Sequence, residues 1–91
     1  MPARIEVERL KEGEFRVCVI EDRSESTHRV TLAQSDYLRL SGGRIGPSEL
    51  IRRSFEFLLA REPQQSILPE FDLLLIGRYF PEYERELKCK I

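Results

Sequence analysis

Apolar side chains occupy every second position at Ile5 and Val7, again at Phe15, Val17 and Val19, and again at Val30 and Leu32. A period of two is the signature of a strand with one face inside and one in water. Lys11-Glu12-Gly13 separates the first run from the second. A three-residue hairpin loop wants its last residue in the left-handed region, which Gly13 reaches without a steric penalty. Closing that loop with Leu10 opposite Glu14 sets Val7 opposite Val17 and Ile5 opposite Val19. It also sets Glu8 opposite Arg16 on the other face, an opposite-charge pair. Turn chemistry and core pattern therefore agree, and a slip of one residue would put the wrong face inside.

Asp22-Arg23-Ser24-Glu25 reads as a turn, and Ser26 to Leu32 as a third strand. The expected register places Val17 opposite Val30, Phe15 opposite Leu32, and Val19 opposite His28. One face of this meander then carries Ile5, Val7, Phe15, Val17, Val19, Val30 and Leu32. The other carries Glu6, Glu8, Arg16, Thr27, Arg29 and Thr31, with Cys18 and Ile20 as apolar exceptions.

The period then changes to that of helices. A short helix is expected over Gln34 to Leu40, stopped by Ser41-Gly42-Gly43. A second opens at Pro47, since proline suits the first helical position. Ile45 and Leu50 have the spacing of a hydrophobic staple around a cap at Gly46. Leu50, Ile51, Phe55, Phe57, Leu58 and Leu59 share one broad face, with Glu49, Arg52, Arg53 and Glu56 opposite. Glu49 with Arg53 and Arg52 with Glu56 are charge pairs at helical spacing. Pro63 ends the element. Ile67 and Leu68 are expected to anchor the loop from Glu62 to Glu70. Asp72 is expected to cap a third helix, Leu73 to Phe80, stapled by Phe71 and Ile76. Pro81 interrupts it before a last polar turn over Glu82 to Leu87.

The expected fold class is α+β: a three-stranded antiparallel β-meander over about residues 4–32, followed by two or three α-helices over about 34–87. The whole chain, 1–91, is expected to form a single domain. Hydrophobic residues make up 41% and charged residues 34%, enough apolar matter for a packed core. The formal charge of −1, with no basic block, speaks against strong nonspecific attraction to nucleic acid or membrane. No apolar run approaches the roughly 20 residues that span a bilayer. Met1 to Glu6 is polar, unlike a secretory leader. A cytoplasmic location is expected.

The residues that chemistry needs are scarce. Catalysis by the single histidine, His28, requires a nucleophile or acid beside it, and its expected neighbours are Val19 and Val30. It reads as a strand histidine. Cys18 and Cys89 lie far apart and make no metal-type pair, so both are expected reduced. The glycines of Ser41-Gly42-Gly43-Arg44-Ile45-Gly46-Pro47 lack a P-loop lysine and its following Ser or Thr, and read as helix stop and start signals. No carboxylate sits in an apolar stretch, and Glu82, Glu84 and Glu86 read as a solvated face. Neither enzymatic activity nor a metal or cofactor is expected.

The third helix is the oddity. Leu73, Leu74, Leu75, Ile76, Tyr79 and Phe80 leave only Gly77 and Arg78 as non-apolar positions. A helix apolar on nearly all sides must be covered on nearly all sides. Either it is a central core helix, or Leu74, Leu75, Tyr79, Phe80 and Tyr83 form a surface buried on association, in the first instance with a second copy.

The stretches Pro47-Ser48-Glu49-Leu50, Ser54 to Pro63, and Arg78-Tyr79-Phe80-Pro81-Glu82-Tyr83 together resemble a family of short uncharacterised prokaryotic proteins. That resemblance implies no activity and no site residues. Arg29-Val30-Thr31-Leu32, a short helix, and then Gly46 to Arg53 are similar to a ribbon–helix–helix DNA-binding repressor. The similarity implies a two-chain ribbon in the major groove, with Thr27, Arg29 and Thr31 facing bases and the amides near Pro47-Ser48 facing a phosphate. Three features depart from that pattern: the first helix is about a turn short, two strands precede the ribbon strand, and the net charge is slightly acidic. The favoured expectation is an interaction or accessory protein that self-associates and can take a protein partner. A dimeric DNA-binding or antitoxin-like regulator is the alternative.

Overall fold

In the computed structural model, residues 4–89 are described. Residues 1–3 and 90–91, the ends of the expected 1–91 domain, lie outside the described residues. The fold is α+β. Strands β1 (Arg4–Lys11), β2 (Glu14–Glu21) and β3 (Ser24–Thr31) form the antiparallel meander. Helices α1 (Gln34–Ser41) and α2 (Pro47–Leu59) follow, then a 3₁₀ turn at Gln64–Ser66. A fourth strand, β4 (Glu70–Asp72), pairs parallel with β3, and two short helices, α3 (Leu75–Tyr79) and α4 (Tyr83–Cys89), close the chain. The sheet order is β1-β2-β3-β4.

The first hairpin keeps the expected pairs Ile5–Val19, Val7–Val17 and Glu8–Arg16. Its closure differs. Lys11, not Leu10, stands opposite Glu14, and a bulge between Arg9 and Lys11 absorbs the extra residue. Gly13 takes φ 77°, as the turn requires. A Cβ there would lie 3.3 Å from the Leu32 carbonyl oxygen, the same strand end whose N–H donates to the Gly13 carbonyl at 2.9 Å.

The second hairpin corrects the expected register by two residues. Phe15 stands opposite Val30, Val17 opposite His28, and Val19 opposite Ser26. The turn is only Asp22-Arg23, with Asp22 at φ 37°, so Ser24 already pairs with Glu21. Aspartate tolerates this region better than most residues, which permits the tighter loop. A two-residue shift keeps every side chain on its face, so the expected core face is preserved.

Phe15, Val17, Val19, Val30 and Leu32 share one buried core with Leu50, Ile51, Phe55 and Leu58 of α2, while Phe57 of that helix packs against Phe80 and Tyr83. Ile5 and Val7, on the edge strand, are only half-buried. Helix α2 starts at Pro47 after an extended Gly46, and its charged flank carries the expected pairs Arg53–Glu49 and Arg52–Glu56. Helix α1 ends where Gly42 takes φ 64° and donates its N–H to the Leu38 carbonyl.

The expected helix Leu73 to Phe80 is shortened to a turn at Leu73-Leu74 and five helical residues, and the three residues before it form a strand. The meander leaves one edge of β3 open, and the chain returning from α2 fills it: Arg29 N–H donates to the Pro69 carbonyl, and Leu73 N–H to that of Thr31. Phe71 falls opposite Val30 and is buried on the same face. Asp72 does not cap α3, whose N-cap is Leu74 without a side-chain cap bond; its carboxylate instead accepts the Leu74 N–H at 3.0 Å and the Thr31 hydroxyl at 2.8 Å, holding the turn to β3.

Candidate functional site

Tyr83 is fully buried, which corrects its expected place on an interface. It opens α4, and its ring packs edge-on against Phe57, centroids 5.2 Å apart. Its hydroxyl lies 2.6 Å from Ser54 Oγ. Ser54 has one hydroxyl proton, which it donates to the Leu50 carbonyl at 2.8 Å, so Tyr83 O–H is the donor to Ser54. Burial pushes the Tyr83 phenol up to about 12, with the nearby Glu84 adding to the shift. Outside this pair, Arg61 lies over the Phe57 ring at 3.6 Å and reaches Glu82 and Glu86, tying α2 to α4.

The other four expected interface residues separate. Leu74, Leu75 and Phe80 are half-buried against the core, while Tyr79 is 67% exposed. Tyr79, Leu75 and Phe80 line a cleft of about 260 Å³. The buried Leu58, Ile67, Phe71 and Ile76 line it too. Leu68, 43% exposed, stands at its mouth with Tyr79. The loop before β4 therefore divides: Ile67 anchors inward as expected, but Leu68 turns outward. Glu62 is a carboxylate in the lining, and no ion pair to it is formed among the described residues. Ile67-Leu68 in a polar loop was the signal available for this site, but nothing local told which of the two faces water.

His28 positions the cleft's mouth. Its Nδ1 lies 2.7 Å from the Leu68 carbonyl and its Nε2 2.8 Å from Ser26 Oγ. A carbonyl can only accept, so Nδ1 carries the proton and, in the neutral ring, Nε2 accepts from Ser26. The ring is buried against Phe55, centroids 5.5 Å apart. Its polar neighbours are thus the Ser26 hydroxyl and the Leu68 carbonyl, and Val17 rather than the expected Val19 stands opposite it in the sheet. Gln64 extends the network: its amide nitrogen donates to Glu21 Oε1 at 2.7 Å and its oxygen accepts from Ser26 N–H at 3.1 Å. Cys18, half-buried on the outer sheet face, donates to Glu25 at 3.3 Å. Burial raises the pKa of its thiol, and Glu25 raises it further, which disfavours the reactive thiolate. Cys89 is exposed at the end of α4. Among the described residues, no group of three or more His, Cys, Asp or Glu side chains is placed to hold a metal ion.

Thr27, Arg29 and Thr31 lie exposed on the outer face of the sheet. Their strand, β3, is paired to β2 along its length and to β4 over Arg29–Thr31, so the stretch that carries Arg29 and Thr31 has no edge left for a two-chain ribbon. Arg29 is held by Glu14 at 3.1 Å and Glu70 at 3.8 Å, and Thr31 by Asp72. Arg16 likewise pairs with Glu8. Ser48 is exposed in the first turn of α2, where the charged residue is the acidic Glu49. The outer face thus neutralises its own cations, whereas phosphate contact needs unpaired ones.

No helix among the described residues is long and apolar enough to cross a membrane. No protein-family model, no curated protein and no solved structure matches the chain.

Proposed function

We propose that this chain is a non-enzymatic accessory or regulatory protein of the cytoplasm, homodimeric, that acts by docking a segment of a protein partner in the cleft between β4, α3 and the loop before β4. One observation carries the reading: Leu68 and Tyr79, among the few large hydrophobics left exposed, stand together at the mouth of an apolar cleft. Exposed apolar residues that cluster over a concavity mark contact surfaces more often than scattered ones do. The occupant is a short segment with one bulky apolar anchor. A volume of about 260 Å³ suits an anchor of that size and lies below the roughly 300–1,000 Å³ of small-molecule sites. The unpaired Glu62 favours Lys or Arg next to the anchor, since a partly buried carboxylate gains most from an opposite charge brought to it.

Selection of random displayed peptides on the purified protein tests this. Enriched peptides should share a Phe, Leu or Trp beside a basic residue. They should lose binding to Tyr79→Asp and Leu68→Asp, exposed substitutions that leave the core intact. Glu62→Gln should weaken the same peptides while keeping their apolar anchor. Enrichment without an apolar anchor, or binding indifferent to both aspartate variants, removes the cleft as the docking site.

A further inference from the structure

We propose that the second copy pairs through the open edge of β1, with a two-fold axis at Glu6, joining two four-stranded sheets into one of eight strands. The proposal rests on the homodimeric reading above and names its seam. The observation behind it is that β1 is an eight-residue edge strand whose outer side pairs with no other strand among the described residues, whereas the other edge, β4, has only three residues.

The backbone is set for this pairing. Hydrogen-bonded and non-hydrogen-bonded pairs alternate along an antiparallel ladder. Counted from the two-residue turn that makes Glu21–Ser24 a bonded pair, Glu14, Arg16, Cys18 and Ile20 turn their backbone groups toward β1. Their partners Glu8, Glu6 and Arg4 turn theirs back toward β2, which leaves the N–H and C=O of Ile5 and Val7 on the open edge. Placing Glu6 opposite Glu6 of a second copy sets Ile5 opposite the partner copy's Val7. These two pairs exchange four backbone hydrogen bonds across the axis.

The side chains agree with that register. On the core face, Ile5 and Val7 are half-buried for want of a neighbouring strand, and each would be covered by the other. On the outer face, Arg4 would stand opposite Glu8 of the second copy. The two central Glu6 carboxylates repel, but each already has its own Arg4 at 3.0 Å, and of its two diagonal neighbours on the second copy one is Arg4 and the other, Glu8, is paired with its own Arg16. Moving the axis to Val7 would set Glu6 opposite Glu8 and Ile5 opposite Arg9, a worse match on both faces. Each cleft lies beside β4, at the far side of its sheet. The dimer would hold two clefts roughly 34 Å apart, from seven strand spacings, and would grip a partner at two points.

Disulfide trapping decides it. Glu6→Cys in a Cys18→Ser, Cys89→Ser background removes the cross-strand neighbour of position 6 and the tail thiol. Mild oxidation should give a covalent dimer at position 6, because directly opposed non-bonded pairs bring Cβ atoms within disulfide reach. Glu8→Cys in the same background should give none. Light scattering of the unsubstituted chain should read a dimer, and Arg4→Glu should weaken association by about tenfold or more. A dimer mass with no trapping at position 6 would overturn the β1 seam while leaving the homodimer standing. A monomer mass at micromolar concentration would overturn both.

Discussion

Replacing Tyr83 by Phe removes one oxygen from a fully buried side chain and nothing else. At neutral pH the loss is one buried hydrogen bond, the 2.6 Å contact to Ser54. Ser54 keeps its donor bond to Leu50, so no proton is stranded, and the cost should be about 1 kcal/mol. For a domain of this size that is roughly 4–8 °C in Tm. At high pH the order should invert. The folded protein holds the Tyr83 proton until about pH 12, while the unfolded chain releases it near its ordinary 10.0. Across that window the unfolded state binds fewer protons, so stability falls as pH rises, by up to about 1.4 kcal/mol per unit. Near pH 11.5 the unsubstituted protein should have lost roughly 2 kcal/mol that Tyr83→Phe does not lose. Urea unfolding followed by circular dichroism at pH 7 and pH 11.5 reads the difference, and comparing the two proteins cancels the other groups titrating there. A stability difference that is the same at both pH values would refute the buried phenol and return Tyr83 to the surface.

Phe55→Ala should cost roughly 3–5 kcal/mol and lower the denaturation midpoint sharply, since Phe55 is fully buried between His28 and Phe71. An unchanged midpoint would mean the wrong face of α2 is inside. His28→Phe keeps a ring in place but leaves the Leu68 carbonyl and the Ser26 hydroxyl without their partner, at about 1–3 kcal/mol. Amide exchange should quicken first in the loop before β4, and a variant as stable and as slowly exchanging as the parent would remove His28 as the anchor of the cleft's mouth.

How much of this was legible in the sequence depends on the range of the interaction concerned. Period-two alternation assigned the inner face of all three meander strands, because a side chain's face depends only on its parity along the strand. Pro47, the Ile45/Leu50 spacing and the charge pairs marked α2, because capping and i to i+4 contacts act within one or two turns. The β2–β3 register escaped the pattern for the same reason that the faces did not: a shift of two residues leaves parity untouched. Only the tight turn at Asp22 decided it. The segment from Phe71 to Phe80 has apolar residues at nearly every position, so it carries no period, and nothing local separates a buried helix from a short buried strand. What made Glu70–Asp72 a strand was the open edge of β3, forty residues earlier in the chain, offering hydrogen bonds that a helix could not use.

The cleft belongs to the same class. Its lining comes from α2, the loop, β4 and α3, and whether Leu68, Tyr79 or Tyr83 faced water followed from which neighbours tertiary packing brought against each. Tyr83 found Ser54 and Phe57 and went inside; Tyr79, four residues before it, found none and stayed out. Composition and periodicity determine which segments can form elements and which face of each is apolar, since both are settled by contacts a few residues apart. The partner of each edge and the apolar residues left uncovered are decided only when distant segments compete for the same space.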